Sequence, residues 1–234
     1  MSPVSDDGVT NSVSDSEEDN NLYPTFEGGR IRRIMRALEL TKGVEIARRY
    51  LAMNAFDGAL TMLGLLLGGL ITIHPEIPAE ASLQFNAILL AAAGTSIAMA
   101  ISGFSGSYLT ESAERDREVE EMGKAMLSDM SESMYAKATK TTSIVVALVD
   151  GASPAIAAFI IIIPLFFVPA GILGYRMAFY FAIAICMALL FLLGLFLGSV
   201  SKQNMWAYGA KTLFAGILTA ILMFIISYVT GAAG

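Results

Sequence analysis

The stretch that decides the fold is residues 50–73, YLAMNAFDGALTMLGLLLGGLITI, in which Asp57 is the only acidic or basic side chain. An apolar run of about 20 residues is long enough to cross about 30 Å of hydrocarbon as a helix. Asp57 lies about 7 residues into this run, roughly 10 Å from its start at about 1.5 Å rise per residue. A carboxylate at that depth costs about 2.5–3.5 kcal/mol on insertion scales, so it needs a partner, a proton or a water-filled cavity.

Four more apolar segments follow along the chain, and none shows the alternation typical of a strand. The 234 residues are 55% hydrophobic and 15% charged, whereas a soluble domain has about 25% charged residues. Since Cys186 is the only cysteine, a disulfide framework and a thiolate metal cluster are both excluded. We therefore predict an all-α membrane protein with five transmembrane helices, over about Tyr50–Ile73, Gln84–Tyr108, Ser143–Val168, Met177–Val200 and Thr212–Val229.

The chain before the first span divides into two parts of opposite charge. Residues 1–29 are acidic and poor in apolar side chains, which predicts a disordered tail. Residues 30–49 carry seven Lys or Arg, with apolar Ile31, Ile34, Met35 and Leu38 at helical spacing. This pattern is typical of a basic amphipathic helix on a membrane surface, or equally of a solvated helix packed on the protein itself. Residues 50–234 then form the five-span domain.

The distribution of Lys and Arg among the connections predicts the orientation. The segment before the first span is strongly basic and should face the cytoplasm. The connection 109–142 carries five basic residues, so it should form a cytoplasmic helical loop between the second and third spans. Five spans then leave the C-terminus external. We expect an integral protein of a prokaryotic plasma membrane.

A second carboxylate repeats the surroundings of the first. Asp150 lies in Val149-Asp150-Gly151-Ala152, again about 7 residues into an apolar segment. Spans one and three are parallel in the predicted topology, so the two carboxylates should lie at similar depth. Pro154 removes the helical hydrogen bond to the Asp150 carbonyl, and a loosened turn in a membrane is tolerated where it lines a cavity. We predict that Asp57 and Asp150 together bind a cation within the membrane.

The connection 109–142 carries acidic and methionine patterns. Glu111, Glu114, Glu118 and Glu121 follow helical spacing along one stripe, and Met122 and Met126 begin a row of methionines spaced by four that continues to Met130 and Met134. Carboxylates suit hard divalent ions and thioethers suit softer ones, so this face could collect Fe²⁺. Charged residues of both signs on a helix are also typical of a solvated face, and methionines of packing.

Glycine pairs indicate where membrane helices approach each other. Gly64 and Gly68 form a Gly-xxx-Gly pair in the first span, and Gly194 and Gly198 form another in the fourth. Small residues at this spacing let two helix backbones come close. We expect these positions to mark helix contacts, within the chain or between copies.

Three motifs resemble those of the vacuolar iron transporter family. Asn54-Ala-Phe-Asp57-Gly58-Ala-Leu-Thr61 is similar to the family's Asn-x-x-Asp-Gly-Leu-Val-Thr signature. Residues 100–109, followed by Glu111, resemble the end of its second span, and residues 209–216 resemble its last span. The resemblance implies a five-span homodimer that moves Fe²⁺ or Mn²⁺ out of the cytoplasm in exchange for protons.

The resemblance also implies roles for particular residues. Asp57, in the motif that Asn54 opens, is the family's membrane carboxylate for the ion and the proton, and Glu111, Glu114 and Glu118 fall in its acidic helix. Where the family often has Met after the Ile-Ser of span two, this chain has Gly103; Met99, one turn earlier, is the candidate substitute. The cytoplasmic insert is shorter than in members with a full metal-binding bundle.

These observations favour a divalent metal transporter with no permanently bound cofactor, Fe²⁺ or Mn²⁺ being its cargo. The alternative is a membrane scaffold or metal sensor that does not transport. An enzyme is not expected, since neither Gly-x-Ser-x-Gly nor His-Glu-x-x-His occurs. Expected partners are membrane lipid and a second copy, and no nucleic acid, because the basic segment is short and adjoins the membrane.

Overall fold

The computed structural model describes residues 29–73 and 77–231, so the predicted acidic tail before Gly29 lies outside the described residues. The described chain consists of helices joined by short turns. The six α-helices are α1 Arg30–Leu40, α2 Gly43–Thr72, α3 Pro78–Met126, α4 Met134–Ile162, α5 Tyr175–Val200 and α6 Met205–Thr230, and a 3₁₀ helix, Ile163–Phe167, follows α4.

Helices α2 to α6 are each long and apolar enough to cross a membrane, which confirms the prediction of five spanning helices. Helix α3 has 49 residues and is roughly 70 Å long at about 1.5 Å per residue, more than twice the thickness of the hydrocarbon. Most of the connection predicted at 109–142 is therefore the continuation of α3 and the beginning of α4. Ion pairs one turn apart support the polar part of α3, Arg117–Glu121 at 2.8 Å and Glu120–Lys124 at 2.6 Å.

A seven-residue turn separates α3 from α4. Leu127 adopts a left-handed conformation, φ 49°, and ends α3. The Ser131 N–H donates to the Asp129 carboxylate at 2.9 Å, which holds the pKa of Asp129 below its ordinary value. The Ser133 hydroxyl accepts from the Ala136 N–H at 3.1 Å and caps α4. The methionine row is therefore not one helical stripe, because α3 ends at Met126 before the row is complete.

The predicted amphipathic segment 30–49 is two helices rather than one. Lys42, at φ 53°, separates α1 from α2, so Arg48 and Arg49 belong to the first spanning helix. The hydroxyls of Thr41 and Thr142 lie 2.7 Å apart and attach this corner to α4. Ile31 and Met35 point outward from α1; that this face contacts lipid stays a prediction. We call this end of the molecule the α1 end.

The core forms where α2 meets α5 and α4. Helix α4 packs against α3 on one side and α2 on the other, and α5 packs against α2 and α6. The main cluster of buried apolar side chains lies in the half of the bundle away from the α1 end, and it includes Met62, Leu63, Leu66, Phe85, Ile161, Ile162, Phe179 and Leu190. Cys186 lies among them, with its Sγ 3.2 Å from the Ala59 carbonyl.

Glycines allow the helices of three pairs to cross at close distance. A Cβ added to Gly58 of α2 would lie 2.7 Å from the Pro154 Cα of α4, and one added to Gly194 of α5 would lie 2.7 Å from the Gly209 Cα of α6. A Cβ added to Gly151 of α4 would lie 2.8 Å from the Phe104 backbone nitrogen of α3. By contrast, a Cβ added to Gly64 meets nothing within 4 Å, so no described helix packs closely against this glycine of α2.

Candidate functional site

Asp57 lies on an open face of α2. Its neighbours Ala55, Gly58 and Ala59 are buried against the bundle, and successive residues of a helix point about 100° apart. The tight contact of Gly58 with Pro154 therefore turns Asp57 outward, and its side chain is exposed on the single chain. No described residue makes a hydrogen bond or an ion pair with its carboxylate; the Thr61 hydroxyl donates only to the Asp57 backbone carbonyl, at 2.8 Å.

Polar and small residues continue along the same face of α2. Positions 54, 57, 61 and 64 follow at spacings of three and four, which places them on one stripe of the helix. Asn54 and Gly64 are half-buried and Thr61 is exposed. A helix face that carries an amide, a carboxylate, a hydroxyl and a glycine is unsuited to contact with acyl chains, because its polar groups would lose their hydrogen bonds.

Asp150 occupies a different environment from Asp57. It is 5% exposed, between α4 and α3. The Ser107 hydroxyl of α3 donates to its Oδ2, while its Oδ1 has no hydrogen-bond partner among the described residues. Because Gly58 of α2 packs on Pro154 and the two helices run in the same direction, Asp150 lies level with Asn54, one turn nearer the α1 end than Asp57. Asp150 points into the contact with α3, whereas Asp57 points outward from α2, so the two carboxylates do not share a site within the described chain.

Removing the Ser107 hydroxyl should destabilise the protein, because the buried Asp150 carboxyl then loses its hydrogen bond. In Ser107→Ala the carboxyl loses its hydrogen bond from α3, and we expect the free energy of unfolding to fall by roughly 1–3 kcal/mol. Thermal unfolding in detergent measures this change. The double variant Ser107→Ala/Asp150→Leu, in which both partners are apolar, should recover most of the loss. A double variant less stable than Ser107→Ala would mean that the hydrogen bond is not what stabilises this crossing.

A groove of about 490 Å³ opens at the α1 end, between the beginning of α2 and the polar part of α3. All four glutamates predicted to form an acidic stripe line it, which are Glu111, Glu114, Glu118 and Glu121. They share the groove with Glu45 and with four basic residues, Lys42, Arg49, Arg115 and Arg117. The acidic side chains that line the groove thus outnumber the basic ones by one.

The glutamates of the groove are not equivalent. Glu111 is 5% exposed and lies 3.5 Å from the buried Arg115, whose guanidinium also lies 3.7 Å from Glu118. Glu118 further accepts a hydrogen bond from the Tyr135 hydroxyl at 3.2 Å. Glu114, Glu118 and Glu121 are exposed to the groove, so these three can meet an ion that arrives from solution.

Tyr50 lies between the groove and Asp57 along α2. It lines the groove together with Glu111. It also precedes Asp57 by two helical turns, so it lies on the same face of α2. We did not predict Tyr50, Ser107 or Arg115 as site residues. Ser107 could have been found, since it lies four residues before Glu111 and continues the glutamate stripe.

The predicted methionines do not gather at these carboxylates. Met99 is half-buried and packs against the apolar core, Met122 is half-buried, and Met126 is 60% exposed at the end of α3. Within residues 29–73 and 77–231, no three acidic, histidine or cysteine side chains converge closely enough to hold a metal ion. The oxygen groups nearest to Asp57 on the open face, Asn54 and Thr61, are ligands that suit hard divalent ions.

Comparisons with known proteins place this arrangement in a family. An uncharacterized protein of Methanocaldococcus jannaschii is 31% identical over 201 residues, which cover 84% of this chain and 97% of that relative. No solved structure matches the chain significantly. The model of the VIT family matches residues 111–228, half of the chain, from the buried Glu111 to the last turn of α6. The chain is thus an integral membrane protein of the VIT family, the vacuolar iron transporter family.

Proposed function

We propose that this protein is a divalent metal transporter that exports Fe²⁺ or Mn²⁺ from the cytoplasm in exchange for protons. The observation that carries the proposal is the position of Asp57: a carboxylate without a described partner on the open face of a spanning helix, in line with an acidic groove. The family supports transport in general; the ion, the direction and the counter-ion are our proposal.

The groove would collect the ion at the cytoplasmic side. Glu114, Glu118 and Glu121 are exposed there, and two of them are shared with arginines, Glu118 with Arg115 and Glu121 with Arg117. These contacts moderate the negative charge, so the ion is concentrated without being held tightly. A transport site needs this balance, because an ion that binds too strongly does not move on.

The open face of α2 supports a homodimer. A lone Asp57 facing acyl chains would cost about 2.5–3.5 kcal/mol, and it supplies at most two of the six or so oxygens that a hard divalent ion takes. A second copy related by a two-fold axis would cover this face and bring two Asp57 carboxylates and two Asn54 amides together. Gly64 lies one turn beyond Thr61, and a Cβ added there would meet no described atom within 4 Å. This glycine would let the two α2 helices approach closely.

A cysteine at position 64 should test this arrangement. In Gly64→Cys, on a Cys186→Ala background, we expect mild oxidation to link two copies covalently, because an α2–α2 contact would place the two sulfurs near the axis. Non-reducing electrophoresis of the protein in native membranes gives the dimer fraction. Ile97→Cys, at a 56% exposed position of α3, is the matched control and should link much less. Equal linking at both positions would argue against an α2 interface.

Proton exchange follows from competition for one carboxylate. Asp57 in the membrane is stable either with a bound cation or with a proton, because a bare charge is costly there. A proton that arrives from the external side would displace the metal, and a metal that arrives from the groove would displace the proton. Competition for this one carboxylate is therefore enough to couple the metal flux to a proton flux in the opposite direction.

Metal-stimulated proton flux in proteoliposomes tests the proposal directly. Protein reconstituted with an internal pH indicator should move protons when Fe²⁺ or Mn²⁺ is added, and should respond less to Ca²⁺, with Co²⁺ as a further comparison. Metal uptake without proton movement would overturn the antiport but not transport. If no metal enters although the protein is folded, the scaffold or sensor alternative is correct.

A further inference from the structure

A crevice of about 420 Å³ lies between α2, α5 and α6 at the α1 end, on the opposite side of Arg49 from the groove. Its walls include four apolar side chains, Met53 and Phe56 of α2 and Leu193 and Leu197 of α5. Its size falls within the range of about 300–1,000 Å³ that is usual for ligand pockets. Nothing in the transport proposal uses this crevice.

Two basic side chains line the crevice, those of Arg49 and Lys211, and they are the only charged ones among the described residues that line it. Neither forms an ion pair with a described carboxylate. Each lies beside an aromatic ring: Arg49 is 5.8 Å from the centre of the Tyr50 ring, and the Lys211 Nζ is 4.8 Å from that of Tyr208. The rings favour cations at these positions, but they do not neutralise the charge.

The crevice lies at the level where a membrane changes from headgroups to acyl chains. Trp206 is 71% exposed in the first turn of α6, and Tyr208 follows on the same helix; exposed Trp and Tyr are typical of this boundary. Lys211 is slightly deeper, and its long side chain can reach the headgroup region while its stem lies along apolar surface. We therefore expect the apolar walls to face acyl chains and the two cations to face headgroups.

We propose that this crevice binds an anionic phospholipid, with the phosphate between Arg49 and Lys211 and an acyl chain along Met53, Phe56, Leu193 and Leu197. The positive charges of the two side chains favour an anionic lipid over a zwitterionic one. A zwitterionic headgroup brings no net negative charge to two cations that form no ion pair with a described carboxylate, whereas an anionic headgroup does. Basic pockets between spanning helices are suited to anionic headgroups.

Lipid binding to the full chain in detergent, followed by native mass spectrometry, tests the proposal without any transport assay. Phosphatidylglycerol and phosphatidylcholine with identical acyl chains are titrated separately. We expect phosphatidylglycerol to bind about tenfold or more tightly, and Arg49→Gln/Lys211→Gln to lose this preference. Arg48→Gln/Lys202→Gln removes the same charge from residues at the same end that do not line the crevice, and it should keep the preference.

Two further variants separate charge from shape and folding. Arg49→Lys/Lys211→Arg keeps both charges and should keep the preference for phosphatidylglycerol. Leu193→Trp fills the crevice and should weaken binding of this lipid although both cations remain. The proposal is overturned if the two lipids bind equally, if both charge-removing double variants behave alike, or if Leu197→Cys links two copies under mild oxidation, because the crevice would then be covered by protein.

Discussion

Asp57→Asn should reduce metal flux in proteoliposomes to the level of protein-free vesicles. The substitution keeps the shape of the side chain but removes the charge that the metal and the proton compete for. Loss of a residue that only orients a metal ligand costs about 10–100-fold in affinity or activity, so loss of the ligand itself should cost more than about 100-fold. Tracer uptake of Mn²⁺ into vesicles of matched protein content measures the effect.

The same variant should fold as well as the parent protein, or slightly better. Asn in the membrane avoids the cost of a buried charge, and no described residue makes a hydrogen bond or an ion pair with the Asp57 carboxylate that the variant could lose. Asp116→Asn, which removes an exposed charge on the polar part of α3 away from the groove, is the matched control and should retain most of the flux. Normal uptake by Asp57→Asn would remove the central residue from the proposal.

Gly151→Ala should produce the largest loss of stability among the small-residue crossings. An added Cβ would lie 2.5 Å from the Ala100 carbonyl oxygen and 2.8 Å from the Phe104 nitrogen, and these are backbone atoms that cannot turn aside. Helix α3 would have to move away from α4. Forcing extra volume into a packed interior costs about 1–3 kcal/mol, and the thermal unfolding midpoint in detergent should fall accordingly.

Gly94→Ala provides the comparison for this prediction. Gly94 is also a helical glycine of a spanning segment, but a Cβ there meets nothing within 4 Å. Ala is favoured over Gly in a helix by about 1 kcal/mol, so this variant should be neutral or more stable. Because the displacement of α3 also separates Ser107 from Asp150, Gly151→Ala should remove the benefit of the Ser107 hydroxyl. Equal midpoints for the two alanine variants would contradict the close crossing.

The number of spanning helices could be predicted because the backbone N–H and C=O groups of each span must be hydrogen-bonded within the protein when the span lies in lipid. Each of the five apolar runs is long enough to span the hydrocarbon, and a helix satisfies all the backbone hydrogen bonds of such a run. The ends of the helices were harder to predict. No long apolar run marks residues 109–126, yet α3 continues through them, because good helix formers and ion pairs one turn apart sustain a helix in water as well.

The sequence indicated individual residues of the candidate site, but it did not determine which of their side chains lie together. The glutamate stripe from Glu111 to Glu121 does line one groove, since helical spacing alone places these side chains on one side of α3. The pairing of Asp57 with Asp150 does not occur within the chain. The sequence predicts similar depth for the two carboxylates, and the structure places them one turn apart. The direction in which each side chain points depends on the helix that packs against the adjoining glycine.

The sequence by itself determined that this chain crosses a membrane five times and carries two carboxylates where a charge is costly, because both follow from length, hydropathy and position in a helix. Only the tertiary structure decided that Asp150 turns inward to Ser107 while Asp57 turns outward to an open face. The physical reason is packing. Gly58 and Gly151 allow α4 to approach α2 and α3 more closely than any larger side chain would, and these contacts fix the rotation of each helix about its axis.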